Sequence, residues 1–286
     1  MQSITGIAEN DYNKYSVIKP PADFFGDNER YTRVVVDSRL RNKTLFPNPN
    51  DYEIVLDDDI NDVFMAQMIY IEMNCNMYLI NKYFNTLVVN VGGINNQVVL
   101  DVGDYDNNSF VAELQSKLDA VLGAGAITIS YTSKTDKYKF TSASPFTLKF
   151  KDYKNSLALM LGFQDNNDYS AQGSGPFVLE ADYRRNFNFN NYVIMDIDQF
   201  DLLKSDDRDL NKSFALIPKT YNAFNLIDQP QYIKRFSPPI AKLSKMRIRL
   251  YDRFGNDYDF QNVDHRFEML LTSFKQKRKY ANIFAH

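Results

Sequence analysis

Cysteine, histidine and tryptophan are scarce or missing in this chain. Of 286 residues, one is Cys, two are His and none is Trp. The single cysteine, Cys75, excludes an intramolecular disulfide, so the chain reads as one made in a reducing compartment rather than as a secreted scaffold. Beside an apolar strand it reads as a small, partly buried residue. With histidine only at His265 and His286, there is no Cys/His metal cluster and no H-E-x-x-H. Neither a G-x-x-x-x-G-K-[ST] phosphate loop nor a G-x-S-x-G elbow occurs. Long apolar runs are missing too: none reaches the ~18 residues of a membrane-spanning helix. Met1 to Tyr12 lacks the basic start and apolar core of a secretion signal. The expectation is a soluble protein, or one built into a soluble assembly. An excess of positive charge is also lacking. Lys and Arg number 33 against 36 Asp and Glu, a formal net charge of -3, which argues against a general nucleic-acid binder. No constellation of side chains selects a reaction, a cofactor or a small-molecule substrate, so the chain reads as a non-enzyme.

What the chain has is aromatic and apolar material in short runs. It carries 22 Phe and 19 Tyr, and 44% of it is hydrophobic, enough for a full core. Asn, Asp and Gly recur between the runs, which predicts a mainly β fold. The Asn pairs 95–96, 107–108, 166–167 and 190–191 read as turns. The most informative stretch runs from Asp37 to Asn85. A polar turn over Ser38 to Lys43 leads to Pro47-Asn48-Pro49-Asn50, a bend that cannot sit inside a helix. Tyr52, Ile54 and Leu56 then alternate with more polar partners as in a half-buried strand, and Asp57-Asp58-Asp59 reads as the next turn. From Val63 to Met73 apolar residues occupy both parities. That predicts a strand covered on both faces, or a buried helix of the same length.

Elsewhere, Val34 to Val36 and Leu87 to Val91 read as strands, the second closed by Gly92-Gly93. After a short strand over Val98 to Leu100, Ser109 is placed to cap a helix carrying Phe110, Leu114, Leu118 and Val121, with Gly123 as its stop. Strands at Ile127–Tyr131, Tyr138–Phe140 and Phe146–Phe150 follow, then a short helix from Ser156 to Leu161 capped by Asn155. Asp165 to Gly175 reads as a polar linker. Val193, Met195 and Ile197 form a half-exposed strand, Ser205 to Lys212 a charged turn, and Phe214 to Ile217 a strand ended by Pro218. Residues 219–239 read as a long loop. Met246, Ile248 and Leu250 make the cleanest strand, turned by Asp252 to Asn256 into a partner begun by Tyr258 and Phe260. Phe267, Met269 and Leu271 are the last strand. The carboxylates at Asp57–Asp59, Asp196/Asp198 and Asp206-Asp207/Asp209 suit a hard cation in type, but none has a calcium-loop order, and solvated faces are the simpler reading. A lone His265 before a strand is more often structural than catalytic.

Several of these pieces carry a resemblance in their order. They are Ser38-Arg39 after a β run, the Pro-Asn bend before a Tyr-led strand, the V-x-x-A-x-x-I-x-I-x-M run, Tyr78-Leu79-Ile80-Asn81 and Phe84-Asn85. Gly103, Tyr105 and Leu161-Gly162-Phe163 bracket the middle segment. The close runs through Pro238-Pro239-Ile240, Leu243-Ser244, Asp252, Gly255-Asn256, Asp259-Phe260 and Asp264-His265. Together they resemble the jelly-roll penton and minor capsid proteins of large icosahedral double-stranded DNA viruses. The resemblance is weakest between about residues 165 and 240. It implies an antiparallel jelly-roll β-sandwich with a small α+β insertion, and a structural role in an icosahedral capsid. The site would be the five-fold vertex or beneath the major capsid shell. It also implies partners among the major and minor capsid proteins and, for a penton, a ring of five copies.

The predicted organisation is an N-terminal arm over 1–32, a discontinuous sandwich over 33–96 and 176–273, an α+β insertion over 97–163 and a linker over 164–175. A basic C-terminal tail follows over 274–286. Two smaller sandwiches divided near residue 170 are the alternative. Candidate partner-binding residues are Phe24 and Phe25 in the aromatic arm, and Lys275, Lys277, Arg278 and Lys279 in the tail. Contact with nucleic acid or an anionic membrane is expected, if anywhere, through that tail, which is otherwise a solvated end. The functional alternative is a carbohydrate-binding β-sandwich of a fibre or attachment protein, since Tyr stacks on sugar rings and Asn and Asp bond hydroxyls.

Overall fold

The computed structural model describes residues 29–74, 77–153, 156–204, 213–219 and 232–275. Thirteen strands and two α-helices are assigned among them, and the chain divides into two compact units. One comprises 1–76 and 192–286, the other 77–191. No helix among the described residues is long and apolar enough to cross a membrane.

The first unit is built on a ribbon of two long strands, β2 (Asp51–Glu72) and β12 (Ile233–Tyr251), paired antiparallel along their length. At one end of the ribbon β13 (Arg266–Phe274) pairs with β2 from Val63 to Glu72, and β1 (Glu29–Asp37) pairs with β13. At the other end β10 (Tyr192–Ile197) pairs with β12 from Ile248 to Tyr251, and β11 (Ala215–Pro218) with β10. The strand order is therefore β1-β13-β2-β12-β10-β11. Because the flanking strands engage opposite ends of the ribbon, it serves two sheets. β1, β13, β2 and β12 make one; β2, β12, β10 and β11 make the other. Counting β2 and β12 in both gives the eight strands of an antiparallel jelly roll.

Strands that switch sheets do so through bulges and bends. The β2–β12 register slips between Arg235 and Ile240 and again between Leu243 and Lys245, and Asp62 takes a left-handed φ of 55°. Pro238 and Pro239 lie in the first slip. They have no N–H to give the ladder, so they are tolerated at such an irregularity. Residues 219–239 are thus only in part a loop: β12 starts at Ile233 and runs through the prolines.

Contacts join the two sheets at both ends. At one, the Tyr52 hydroxyl lies 2.9 Å from His265 Nε2. At the other, the Tyr232 hydroxyl donates to the Leu216 carbonyl, and Phe200 packs edge-on against Phe214 and Phe236. Inward residues follow the strand period of two. Val34 and Val36, Phe267, Met269 and Leu271, Ala66 and Met68 line one sheet; Tyr52, Ile248, Leu250, Met195 and Ile197 line the other, and all are buried. From Val63 to Met68 both parities are buried, as a strand covered on both faces requires. Asp57, Asp58 and Asp59 do not turn the chain but continue the same strand with their side chains exposed. Tyr258 and Phe260 are buried without forming a strand; only a single bridge, Tyr251 to Asp257, follows the turn.

The second unit is α+β. A hairpin of β3 (Thr86–Val91) and β4 (Ile94–Val99) closes at Gly92-Gly93, where both residues take positive φ. With β7 (Phe146–Lys149) and β8 (Tyr169–Ser170) it makes the sheet β4-β3-β7-β8. A second sheet, β5-β6-β9, consists of Ile127–Thr132, Lys137–Ser142 and Phe177–Glu180. Helix α1 (Asn107–Leu122) buries Phe110, Leu114 and Leu118 at a spacing of four, one stripe of a helix. Asp106, not Ser109, is its N-cap: its carboxylate accepts from the Ser109 N–H at 2.7 Å, while the Ser109 hydroxyl accepts from the Asp106 N–H. Gln115 bonds the Ile127 carbonyl and the Ile129 N–H, tying the helix to β5. Helix α2 (Ala158–Leu161) ends at Gly162, whose left-handed backbone lies against the Tyr183 carbonyl.

This unit is wider than the 97–163 expected from the sequence. β3 and β4 belong to it because they pair with each other and with β7, and β9 belongs because it pairs with β6. The stretch read as a linker supplies β8 and Asp168, whose carboxylate accepts from the Phe150 N–H at 2.9 Å. Asn95-Asn96 sits within β4 rather than in a turn, and Asn107-Asn108 opens α1. At the N-terminus, residues 29–32 of the predicted arm are the start of β1.

Candidate functional site

Residues from both ends of the chain meet where the two sheets of the first unit close. Asp37 ends β1 and accepts from the Arg39 N–H, starting one turn of 3-10 helix over Ser38–Leu40. Ser38 then faces the segment before β13. Its N–H donates to the His265 carbonyl and its hydroxyl to Asp264 Oδ1 at 2.8 Å, and that hydroxyl accepts from the His265 N–H. Arg41 is buried beside it. Its guanidinium donates to the carbonyls of Ser38 (2.7 Å), Phe46 (3.0 Å) and Pro47 (2.8 Å), and forms an ion pair with Asp264. One planar fork thus holds the Pro47 bend, the Ser38 turn and the approach to β13. Hydrogen bonds from Ser38 and Arg41, and the Arg41 charge, hold the Asp264 carboxyl below its ordinary range against the opposing effect of burial. Ser38, Arg41, Tyr52 and His265, scattered in the sequence, are one buried pin, closed by the half-buried Asp264 and holding the exposed Pro47 bend.

His265 is the pH-sensitive member. Its ring lies 4.9 Å from that of Phe260 and 5.6 Å from that of Tyr52. Burial pushes the imidazole down to about 4 from 6.5; Asp264 opposes this and Arg41 adds to it. Burial pushes the Tyr52 phenol up. Protonation would place a charge and a second N–H on a buried ring whose Nδ1 has no partner among the described residues. Because the folded pKa is below the unfolded one, the neutral ring contributes stability that is fully present above pH 6.5. That stability is lost as pH falls toward 4, about 3 kcal/mol in total. Unfolding followed in urea between pH 7 and pH 4 should show this slope, and His265→Gln should flatten it; an unchanged slope would remove His265 as its source.

The outer face of the β2-β12-β10-β11 sheet is a cross-strand ion-pair ladder. Arg249 reaches Asp196 at 2.7 Å and Asp198 at 3.0 Å, Arg247 reaches Asp51 at 2.7 Å, and Lys245 reaches Glu53 at 3.0 Å. Asp196 and Asp198 are therefore engaged by an arginine. Among the described residues no group of three or more His, Cys, Asp or Glu side chains is placed to hold a metal ion. Asp206, Asp207 and Asp209 lie outside the described residues.

A third feature is a cleft of about 1250 Å³ between β1 and the first half of β2. Its β1 wall carries Arg30 and Arg33 and its β2 wall Asp57 to Asp59. Exposed apolar side chains line it as well: Val35 (51% exposed) on β1, Val55 (73%) on β2 and Leu40 (86%) in the turn after β1. Sequence reasoning missed this cleft, because it is made by two strands that do not pair with each other.

Of the candidate partner-binding residues, only Lys275 is among those described. It is exposed and lines the end of the cleft, next to Phe274 at the close of β13. Phe24, Phe25, Lys277, Arg278 and Lys279 lie outside the described residues, as does Cys75.

A family of unknown function (DUF5901) matches residues 25–192. No curated protein matches the chain. Among solved structures, the crystal structure of selenomethionine-labelled mavirus penton protein is similar over 85% of this chain and 99% of that one. The identity is 11% and the TM-score 0.44.

Proposed function

We propose, for a chain that belongs to the DUF5901 family of unknown function, a structural and non-enzymatic role as a virion protein that assembles into an icosahedral capsid. It would act as the penton at five-fold vertices or as a minor capsid protein under the major shell. The observation that carries the reading is the eight-strand jelly roll in which the β2–β12 ribbon serves both sheets. The buried pin supports it, since the residues whose order resembles capsid proteins meet there. Partners would be other capsid proteins, and the protein would be made in the reducing interior of the host cell.

A ring of five copies needs heterologous interfaces that close. Light scattering coupled to size exclusion is expected to give five times the chain mass of 33.2 kDa for a penton. A monomer would shift weight to the minor capsid role, since many shell proteins assemble only on their partners. Quantitative mass spectrometry of purified virions tests the shared premise: the protein should be present in a fixed ratio to the major capsid protein, and its absence would overturn the capsid reading. The carbohydrate-binding alternative draws less support. Many rings, among them Tyr138, Phe110, Phe140, Phe150 and Phe163, are fully buried, and among the described residues the exposed tyrosines Tyr31, Tyr78 and Tyr183 are scattered along the chain.

A further inference from the structure

Two strand edges of the first unit stand unpaired among the described residues. β1 ends the strand order, so one of its edges has no neighbour. β2 from Asp51 to Asn61 pairs only with β12, because β13 joins it from Val63 onward. Both edges line the same cleft. An open edge is a template for another strand, and charge on the edge is the common guard against indiscriminate pairing. Here the guards differ in sign: Arg30 on β1, beside an Arg33 already paired with Glu268, and Asp57 and Asp58 on β2, beside an Asp59 already paired with Lys242. The same two walls keep Val35 and Val55 exposed. A fitting occupant is an extended segment with apolar residues at its centre and both signs of charge beside them.

We infer that this cleft binds residues 1–28 of a second copy of the chain. The inference rests on the assembly role proposed above. The segment has the required chemistry. Lys14 and Lys19 flank Tyr15 to Ile18 and suit Asp57 and Asp58, while Asp23 and Asp27 flank Phe24-Phe25 and suit Arg30. Its attachment point lies beside the cleft. The segment joins β1 at Glu29, which pairs with Phe274 at one end of the cleft. Its length favours a neighbour. The nine residues of β1 offer about 30 Å of edge, whereas 28 extended residues reach about 90 Å, more than the edge beside their attachment can pair. Each copy would give a segment and receive one, a head-to-tail contact of the kind that closes a ring.

The test uses a fluorescent peptide of residues 1–28 against two proteins at nanomolar concentration: the full chain and a chain starting at Glu29. Saturable binding with similar affinity to both is expected, since at that dilution no neighbour supplies the segment. Val55→Asp, at an exposed site, should weaken binding at least tenfold with an unchanged circular dichroism spectrum. The inference is overturned by no saturable binding, or by binding that ignores Val55→Asp. It is overturned as well if the full chain excludes the peptide, which would make the occupant the chain's own segment. Presence in virions without peptide binding would leave the capsid reading standing and remove this inference alone; peptide binding by a protein absent from virions would do the reverse.

Discussion

Arg41→Met should destabilise the first unit by about 3–5 kcal/mol, the usual cost of removing one partner from a buried ion pair. The guanidinium is 4% exposed and is the donor to three carbonyls as well as the partner of Asp264. Methionine matches much of its volume but donates nothing. The carbonyls of Ser38, Phe46 and Pro47 would lose that donor, and the Asp264 carboxylate would stay among them without its ion-pair partner. The melting temperature should fall on the order of 10 °C. Adding Asp264→Asn should recover part of the loss, because the charge left unpaired by the first substitution is then gone. A double variant as unstable as the sum of the two single ones would show that the residues act independently and that the pin is not one unit. If the proposed assembly is right, a loosened pin should also lower incorporation into particles, since it fixes the turn that leads from β1, one wall of the cleft, into β2, the other.

Gly162→Ala should disrupt the second unit, and Gly93→Ala should not. The two glycines share a φ of +84°, so both substitutions carry the same left-handed strain, on the order of 1–2 kcal/mol. Their surroundings differ. A Cβ on Gly93 meets nothing within 4 Å, whereas on Gly162 it would lie 2.3 Å from the Tyr183 carbonyl oxygen and 3.0 Å from that of Arg184. The obstacle is backbone, which cannot rotate away. The Tyr183 N–H also donates to the Gly162 carbonyl at 2.9 Å, so moving this segment away breaks the bond that brought it there. Hydrogen exchange should show lost protection in peptides from 127–150 and 177–186 for Gly162→Ala only, with the peptides of β12 and β13 unchanged. Equal protection in both variants would mean that the backbone at Tyr183 yields without consequence.

The sequence by itself determined the fold class and the identity of most strands. Alternation of Met246, Ile248 and Leu250 placed β12, and apolar residues on both parities from Val63 placed the doubly covered half of β2. Both are local signals, because the period of two is set by the backbone and read residue by residue. His265 as a structural residue followed from composition, since a lone histidine has no company for chemistry. Strand continuity was not legible. Asp57-Asp58-Asp59 has turn composition yet continues β2, and Pro238-Pro239 has breaker composition yet lies inside β12. In both places the paired partner strand overrides local propensity, which is weaker in strands than the context around them. The extent of the second unit was also decided late, because β3 joins β7 and β6 joins β9 through pairings distant in sequence. So was the convergence of Ser38 and Arg41 with Asp264 and His265: more than two hundred residues separate the two pairs, and only the closing of the sandwich brings them together. The cleft belongs wholly to tertiary structure. Its walls are edges left unpaired, and whether an edge is paired is a property of the sheet, not of the strand that carries it.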